Sequence, residues 1–393
     1  MSNKKFVLLA VIAVLMVVWA IFQSRISSGP QVTPESVVYL IQGLDPADID
    51  SIVLGTGDSA VTLKRESGRF VVANKDNYPA EASKINDLLT RCLEIRTTQI
   101  YTEARANHED LQVTEKKARS VVKFLKTDSS LLAGVIVGKD RELGEGTYVR
   151  LATDDKVYVA PSVSWFGAKA MDYINQELIS VKREDIQSVS AQSSGGEYLL
   201  KAGEDGGKLV VLENMPEGKR LKSSDSETVF SVVTSLRFDD VTKNAGGFSF
   251  DKQFVCKMKD STVYTLRIAQ KDSKTYITCQ ADFTDTEPVV MKENEVQSEE
   301  QLKKNEAKLL NRDKAKEFTA KHQGWIYEIA DWKAKYLTKQ LSDLLEDLPK
   351  PKEKAAEPNA INPVRKEDRS SNGVKVSEPN AVKVSEPNAV PVP

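Results

Sequence analysis

Asp185-Ile186-Gln187-Ser188-Val189 restates, 137 positions on, the pattern Asp48-Ile49-Asp50-Ser51-Ile52 (Ile49 to Ile186). Leu200-Lys201 stands in the same relation to Leu63-Lys64, and Pro216 to Pro79. Gly207-Lys208-Leu209-Val210-Val211 follows Gly68-Arg69-Phe70-Val71-Val72 at a displacement of 139. Agreement in order, spacing and residue type predicts an internal duplication. The fold class it implies is α+β, two repeated lobes, each an antiparallel sheet with a helix on one face.

Working outward, Asp50–Leu54 and Ala60–Lys64 read as strands around the turn Gly55-Thr56-Gly57-Asp58, with Gly68–Val72 a third. The period then changes. Ile85, Leu88, Leu89, Cys92 and Leu93 form one helical stripe, and Pro79 fits a first-turn proline. Ser120–Leu125, Leu131–Val137, Thr147–Leu151 and Lys156–Ala160 read as a meander. Ser164–Leu178 reads as a helix contacting the core through Trp165, Phe166, Tyr173 and Ile174. In the second copy, Val229, Val232, Val233 and Leu236 mark the helix, with Ser224 and Glu227 as a capping box. Phe254–Lys259, Thr262–Ala269 and Lys274–Gln280 form its meander. Glu287–Lys321 is a solvated helix or coiled segment, Gly324–Ile329 a strand, and Lys333–Leu348 a closing helix with Leu337, Leu341, Leu344 and Leu345 aligned.

The two ends differ in kind. Phe6–Phe22 reads FVLLAVIAVLMVVWAIF, an unbroken apolar run of 17 residues. As a helix it covers about 25 Å, near the lower limit for crossing a bilayer. Its Leu, Ile, Phe and Val residues favour insertion by about 4–7 kcal/mol in total. Lys4 and Lys5 precede it and only Arg25 follows closely, so the N-terminus is expected in the cytoplasm and the body in the periplasm. A cleaved secretory signal is the alternative, although the run is long and Ser27-Ser28-Gly29 a poor cleavage site. At the other end, Lys375–Val382 recurs unchanged as Lys383–Val390, and Glu357–Ala360 carries a third Glu-Pro-Asn-Ala. Such proline density without aromatics predicts a disordered tail.

The expected organisation is 1–26 cytoplasmic N-terminus and anchor, 27–36 spacer, 37–180 first repeat and 181–286 second repeat. A charged helical segment follows at 287–321, then a closing strand and helix at 322–348 and the tail at 349–393.

Composition narrows the chemistry. The 55 basic and 57 acidic side chains leave a net charge of −2, which gives no field for nucleic acid, and no basic stripe with interleaved aromatics is present. The three cysteines read as buried apolar groups, with a Cys256–Cys279 bridge as the alternative. The histidines are two, His108 and His322, and neither has metal-ligand spacing to a second His or Cys. G-x-S-x-G and P-loop patterns are absent, and Gly144-Glu145-Gly146 reads as a hairpin turn rather than a phosphate cradle. No catalytic, cofactor or metal residue is therefore assigned.

Val61-Thr62-Leu63-Lys64-Arg65 with Gly68–Val72, Tyr78-Pro79-Ala80 with its helix, and Gly146-Thr147-Tyr148-Val149-Arg150 with Val157-Tyr158-Val159 resemble one bacterial family. It is the domain-of-unknown-function family numbered four-three-four-zero, and the resemblance covers roughly Tyr39–Asp282 and the Trp325 region. Phe70 and Leu209 stand where many members carry tryptophan. The resemblance implies an N-terminal anchor, a repeated α+β module and encoding beside gliding-motility-type ABC transporters, with no catalytic residue to carry over. The expected function is a non-enzymatic accessory or binding subunit of an ABC-type transport or envelope complex in the bacterial inner membrane. Its partners are the bilayer, through Phe6–Phe22, and transporter permease or auxiliary subunits. The alternatives are a periplasmic ligand-binding module with a cleft between two lobes, with Thr147, Tyr148, Arg150 and Tyr158 as candidate ligand or partner residues, and an envelope hydrolase.

Overall fold

Ser67 and Gly68, with φ of 50° and 81°, close a two-residue hairpin in which Glu66 faces Arg69. Consecutive positive φ values match the twist of the strands they join. That hairpin begins the first of two large antiparallel sheets in a computed structural model that describes residues 38–204, 209–243, 246–287 and 298–348. The first sheet contains β1 (Ser51–Leu54), β2 (Val61–Glu66), β3 (Arg69–Val72), β4 (Tyr78–Pro79), β5 (Ile100–Thr102), β6 (Ser120–Leu125), β7 (Leu131–Asp140), β8 (Thr147–Leu151) and β9 (Val157–Ala160). Their spatial order is β4-β3-β2-β1-β6-β7-β8-β9-β5. Helix α1 (Ala82–Leu93) joins the two halves of the sheet and buries Ile85, Leu88, Leu89 and Cys92, the predicted stripe.

The second sheet contains β10 (Ile186–Ser193), β11 (Gly196–Ala202), β12 (Val210–Leu212), β13 (Asp240–Thr242), β14 (Phe250–Met258), β15 (Thr262–Lys271), β16 (Lys274–Phe283) and β17 (Ile326–Ile329). Its order is β12-β11-β10-β14-β15-β16-β17-β13. In each sheet a hairpin and a third strand lie on one side of the meander. A helix then leads to a short strand at the far edge, α2 (Ser223–Phe230) serving the second sheet. The backbone agrees in finer detail: Glu81 N donates to Tyr173 O, and Lys222 N to Leu344 O. Ile326–Ile329, expected as a separate closing strand, belongs to the second sheet between β16 and β13.

The long helix α3 (Glu299–His322) has Ser298 at its N-cap, accepting from Gln301 N. Only Ala315 and His322 are buried in it, as its charged sequence predicts. Its C-terminal half docks through Phe318 against Tyr264 and through the Thr319 hydroxyl, which donates to Ala281 O and accepts from Ala281 N. One apolar core runs through both sheets, from Ile52 and Phe124 to Phe254 and Leu344.

Local chemistry overrode several expectations. Ser164–Leu178 is not a helix; it holds one 3-10 turn, Ala170–Tyr173, then a strand, Glu177–Ile179, paired with Leu236–Arg237. Asp172 accepts from Lys169 N and Tyr173 Oη donates to Gly167 O, bonds that compete with helical ones. Trp165 is consequently exposed, while Phe166, Tyr173 and Ile174 are buried. Pro79 sits in edge strand β4 opposite Val71, where a missing N–H is tolerated, instead of in a first helical turn. No capping box forms at Ser224: the helix begins at Ser223, and Glu227 turns instead to Arg183 in a two-pronged pair at 2.7 and 2.8 Å. The closing helix is broken into α4 (Asp331–Leu337) and α5 (Leu341–Leu344), and Leu345–Asp347 pairs as a strand with Lys219–Leu221.

Cys92, Cys256 and Cys279 are free and buried, so no Cys256–Cys279 bridge forms. Gly144–Gly146 lies in the β7–β8 hairpin turn. No helix among the described residues is long and apolar enough to cross a membrane. The Phe6–Phe22 run, the 27–36 spacer and the 349–393 tail lie outside the described residues.

Candidate functional site

Edge strand β4 brings the first sheet to the β17–β13 edge of the second, and side chains from both fill the junction. Tyr78 packs edge-on to Trp325 at 4.7 Å between ring centroids, with Phe238 at 6.0 Å and Tyr327 at 6.3 Å. Such tilted and T-shaped pairs each contribute about 0.5–1.5 kcal/mol beyond the area they bury. His322, the last residue of α3, places Nδ1 2.6 Å from Tyr327 Oη. Burial draws His322 down to about 4, so the ring is neutral at pH 7, and it pushes both tyrosine hydroxyls up. The result is a buried His–Tyr pair inside an aromatic cluster.

Charged groups seal its rim. Lys75 pairs with Asp240 at 2.5 Å, and Lys274 with Glu328 at 2.7 Å. Asp76 accepts from the Lys243 backbone N–H at 2.8 Å and the Thr242 hydroxyl at 3.0 Å, which together hold its carboxyl below the usual range. Lys243 Nζ lies 4.3 Å over the Trp325 ring. Beside this rim, Asp240, Lys271, Tyr276 and Glu328 line a cavity of about 220 Å³. That is below the roughly 300 Å³ from which small-molecule sites typically start. Its two carboxylates face each other across the β13–β17 ladder, and each carries its own lysine.

The four residues singled out from the sequence do not form one surface. Thr147 is buried and donates to Asp140 at 2.6 Å, a carboxylate also gripped by Arg119. Tyr148 and Arg150 point to the outer face of the first sheet. Tyr148 packs on Tyr101 at 4.7 Å, and burial raises its hydroxyl. Arg150 donates to the carbonyls of Val113, Leu151 and Asp154, and loss of water draws its pKa down. Tyr158 is half-buried on the opposite face, packed against the main core. Strand alternation separates them: Tyr148 and Arg150 share one face of β8, whereas Tyr158 faces Val149 on the other.

Groups with chemical potential elsewhere are tied down. His108 is buried with Nε2 2.8 Å from Asp155 O. Burial pushes the Cys92 and Cys256 thiols up to about 12, and Cys279 in the same direction. Among the described residues, no group of three or more His, Cys, Asp or Glu is placed to hold a metal ion. The junction residues were missed because each reads locally as ordinary core. Tyr327 is one apolar position in a strand and His322 the end of a charged helix; only the packing of α3 brings them together.

Residues 71–247 match the model of a family described as Domain of unknown function (DUF4340). The resemblance read from the sequence therefore holds over that span, which includes Tyr78, Phe238, Asp240 and Lys243 of the junction. No curated protein and no solved structure matches the chain.

Proposed function

We propose that the chain is a non-catalytic, single-pass subunit of a bacterial inner-membrane transport or envelope complex. Phe6–Phe22 anchors it, and the two-sheet body stands in the periplasm as two copies of one module, the first ending near Tyr173 and the second near Asp347. The observation that carries this reading is the junction. Aromatic rings occupy the space between the sheets, and the facing carboxylates already have cations, so the body suits a rigid surface for partners better than a cleft that closes on a ligand. The common strand order and the matching helix-start bonds support duplication, with α3 inserted into the second copy between its third and fourth meander strands. The apolar run behind Lys4 and Lys5 supports the anchor, and the resemblance to the family supports the link to an ABC-type transporter.

The test is affinity purification of the full-length chain from membranes, followed by mass spectrometry of what accompanies it. Recovery of a transporter permease and its ATPase is the expected result. Recovery of the chain alone under several mild detergents contradicts the accessory role.

A further inference from the structure

Helix α1 borders a second cavity, of about 420 Å³. One wall is α1 itself, presenting Lys84, Asp87 and Arg91 at successive turns; the other is the connection carrying Trp165, Phe166, Asp172 and Gln176. Its size falls in the range of small-molecule sites.

Trp165 stands at the rim 69% exposed. The backbone that holds it is nevertheless fixed at several points. Arg91 Nη1 donates to Trp165 O at 3.3 Å, and Tyr173 Oη donates to Gly167 O at 2.8 Å. Gly167 has no room for a side chain, since a Cβ there would stand 2.9 Å from Asp172. Phe166, next to the indole, is buried. A large ring displayed on a rigid loop is pre-organised for contact, because binding need not order it first.

The surrounding charges say what kind of contact. Lys84 and Arg91 balance Asp87 and Asp172, so the cavity has no net charge with which to select an ion. Lys84 is committed to Ile174 O at 2.8 Å, and Asp172 to Lys169 N at 3.0 Å. Asp87 and the Gln176 amide make no bond inside the protein among the described residues, and Arg91 keeps most of its donors. An apolar plate beside free donors and acceptors of balanced charge fits a molecule with one hydrocarbon face and a hydroxylated edge. We propose that this cavity binds a neutral saccharide, one sugar ring stacked on the Trp165 indole and its hydroxyls bonded to Asp87, Arg91 and Gln176.

The second sheet supplies an internal control. Trp332 follows the last strand of that sheet as Trp165 follows β9, and is 61% exposed. Its ring, however, is already taken: the neighbouring Lys333 ammonium lies 4.9 Å from the centroid. Trp332 is therefore not expected to bind sugar.

The experiment titrates the full-length chain, held in a detergent without a sugar headgroup, with maltose, chitobiose and, as an anionic counter-probe, glucuronate. Binding is read by calorimetry. At least one of the neutral disaccharides is expected to saturate the protein with Kd of about 1 mM or tighter. Trp165→Ala should weaken it by about tenfold or more, as loss of a stacked aromatic does, and Trp165→Phe less. Asp87→Ala should weaken it by about three- to tenfold, the scale of one lost hydrogen bond. Trp332→Ala should leave it within about twofold, the scale of a substitution outside the site. Trp165 and Asp87 are exposed, so unchanged thermal unfolding of these variants separates loss of binding from loss of fold. Absence of binding by both disaccharides, preference for glucuronate, or binding indifferent to Trp165→Ala overturns the proposal. None of these results bears on the membrane anchor or the transporter partner.

Discussion

Strands β7 and β15 occupy the same place in their sheets, yet one is buried on both faces and the other on one. Ala133-Gly134-Val135-Ile136-Val137-Gly138 of β7 is buried without a break, whereas Thr265 and Arg267 of β15 alternate with the buried Leu266 and Ile268. The cause is the segment after β5. It crosses the outer face of the first sheet and closes a small second core of Leu111, Val113, Val121, Ile136, Tyr148, Val157 and Val159. It approaches so closely that a Cβ on Gly138 would stand 2.3 Å from Leu111 O. The corresponding face of the second sheet carries Gln253, Lys257 and Arg267. The second sheet instead has α3 laid against its inner face. One topology thus supports different second layers, and each sheet recruited its own.

The strongest test of this contrast is Ile136→Ala, which empties part of the outer core and should lower stability by about 2–5 kcal/mol in denaturant unfolding. A value under about 1 kcal/mol, the range of surface changes, would mean the covering segment is not packed. Acid comes next, and it acts through α3. His322 is held neutral with its pKa drawn from 6.5 to about 4, so the unfolded chain takes up the proton first. Its contribution is complete above pH 6.5 and is lost as pH falls from there to about 4, about 3 kcal/mol in all. His322→Phe should flatten that part of the stability–pH curve; an unchanged slope would remove His322 from the account. Gly138→Ala should cost about 1–3 kcal/mol by prising the covering segment away, and hydrogen exchange should rise across residues 108–113. Lys75→Ala, which breaks an accessible ion pair at the junction, should cost no more than about 1 kcal/mol. The smallest effect belongs to Thr265→Ala on the bare face, within about 0.5 kcal/mol.

Much of this contrast was legible beforehand. The unbroken run in β7 and the alternation in β15 are in the sequence, and their periods state which faces are covered. The hairpins, α1 and α3 were readable for the same reason: turn residues and apolar stripes act locally. What escaped was decided by partners distant in the chain. Arg183 drew Glu227 away from the predicted cap, and Lys219–Leu221 captured Leu345–Asp347 from a helix. Trp165 looked like core because an indole after an apolar strand ordinarily is; the bonds at Gly167 and Asp172 turned it outward. Thr147, Tyr148, Arg150 and Tyr158 were contiguous motifs, but alternation along β8 and β9 divides them between two faces.

The proposal of an anchored body facing the periplasm is tested most directly by thiol labelling, for which the chain is already suited. Its three cysteines are buried, two with thiols near 12, and Leu143 at the β7–β8 turn is 85% exposed. Leu143→Cys in the full-length chain should be labelled by a membrane-impermeant maleimide in intact spheroplasts, while the parent chain stays unlabelled. Labelling that appears only after the membrane is broken would put the body in the cytoplasm and contradict the account.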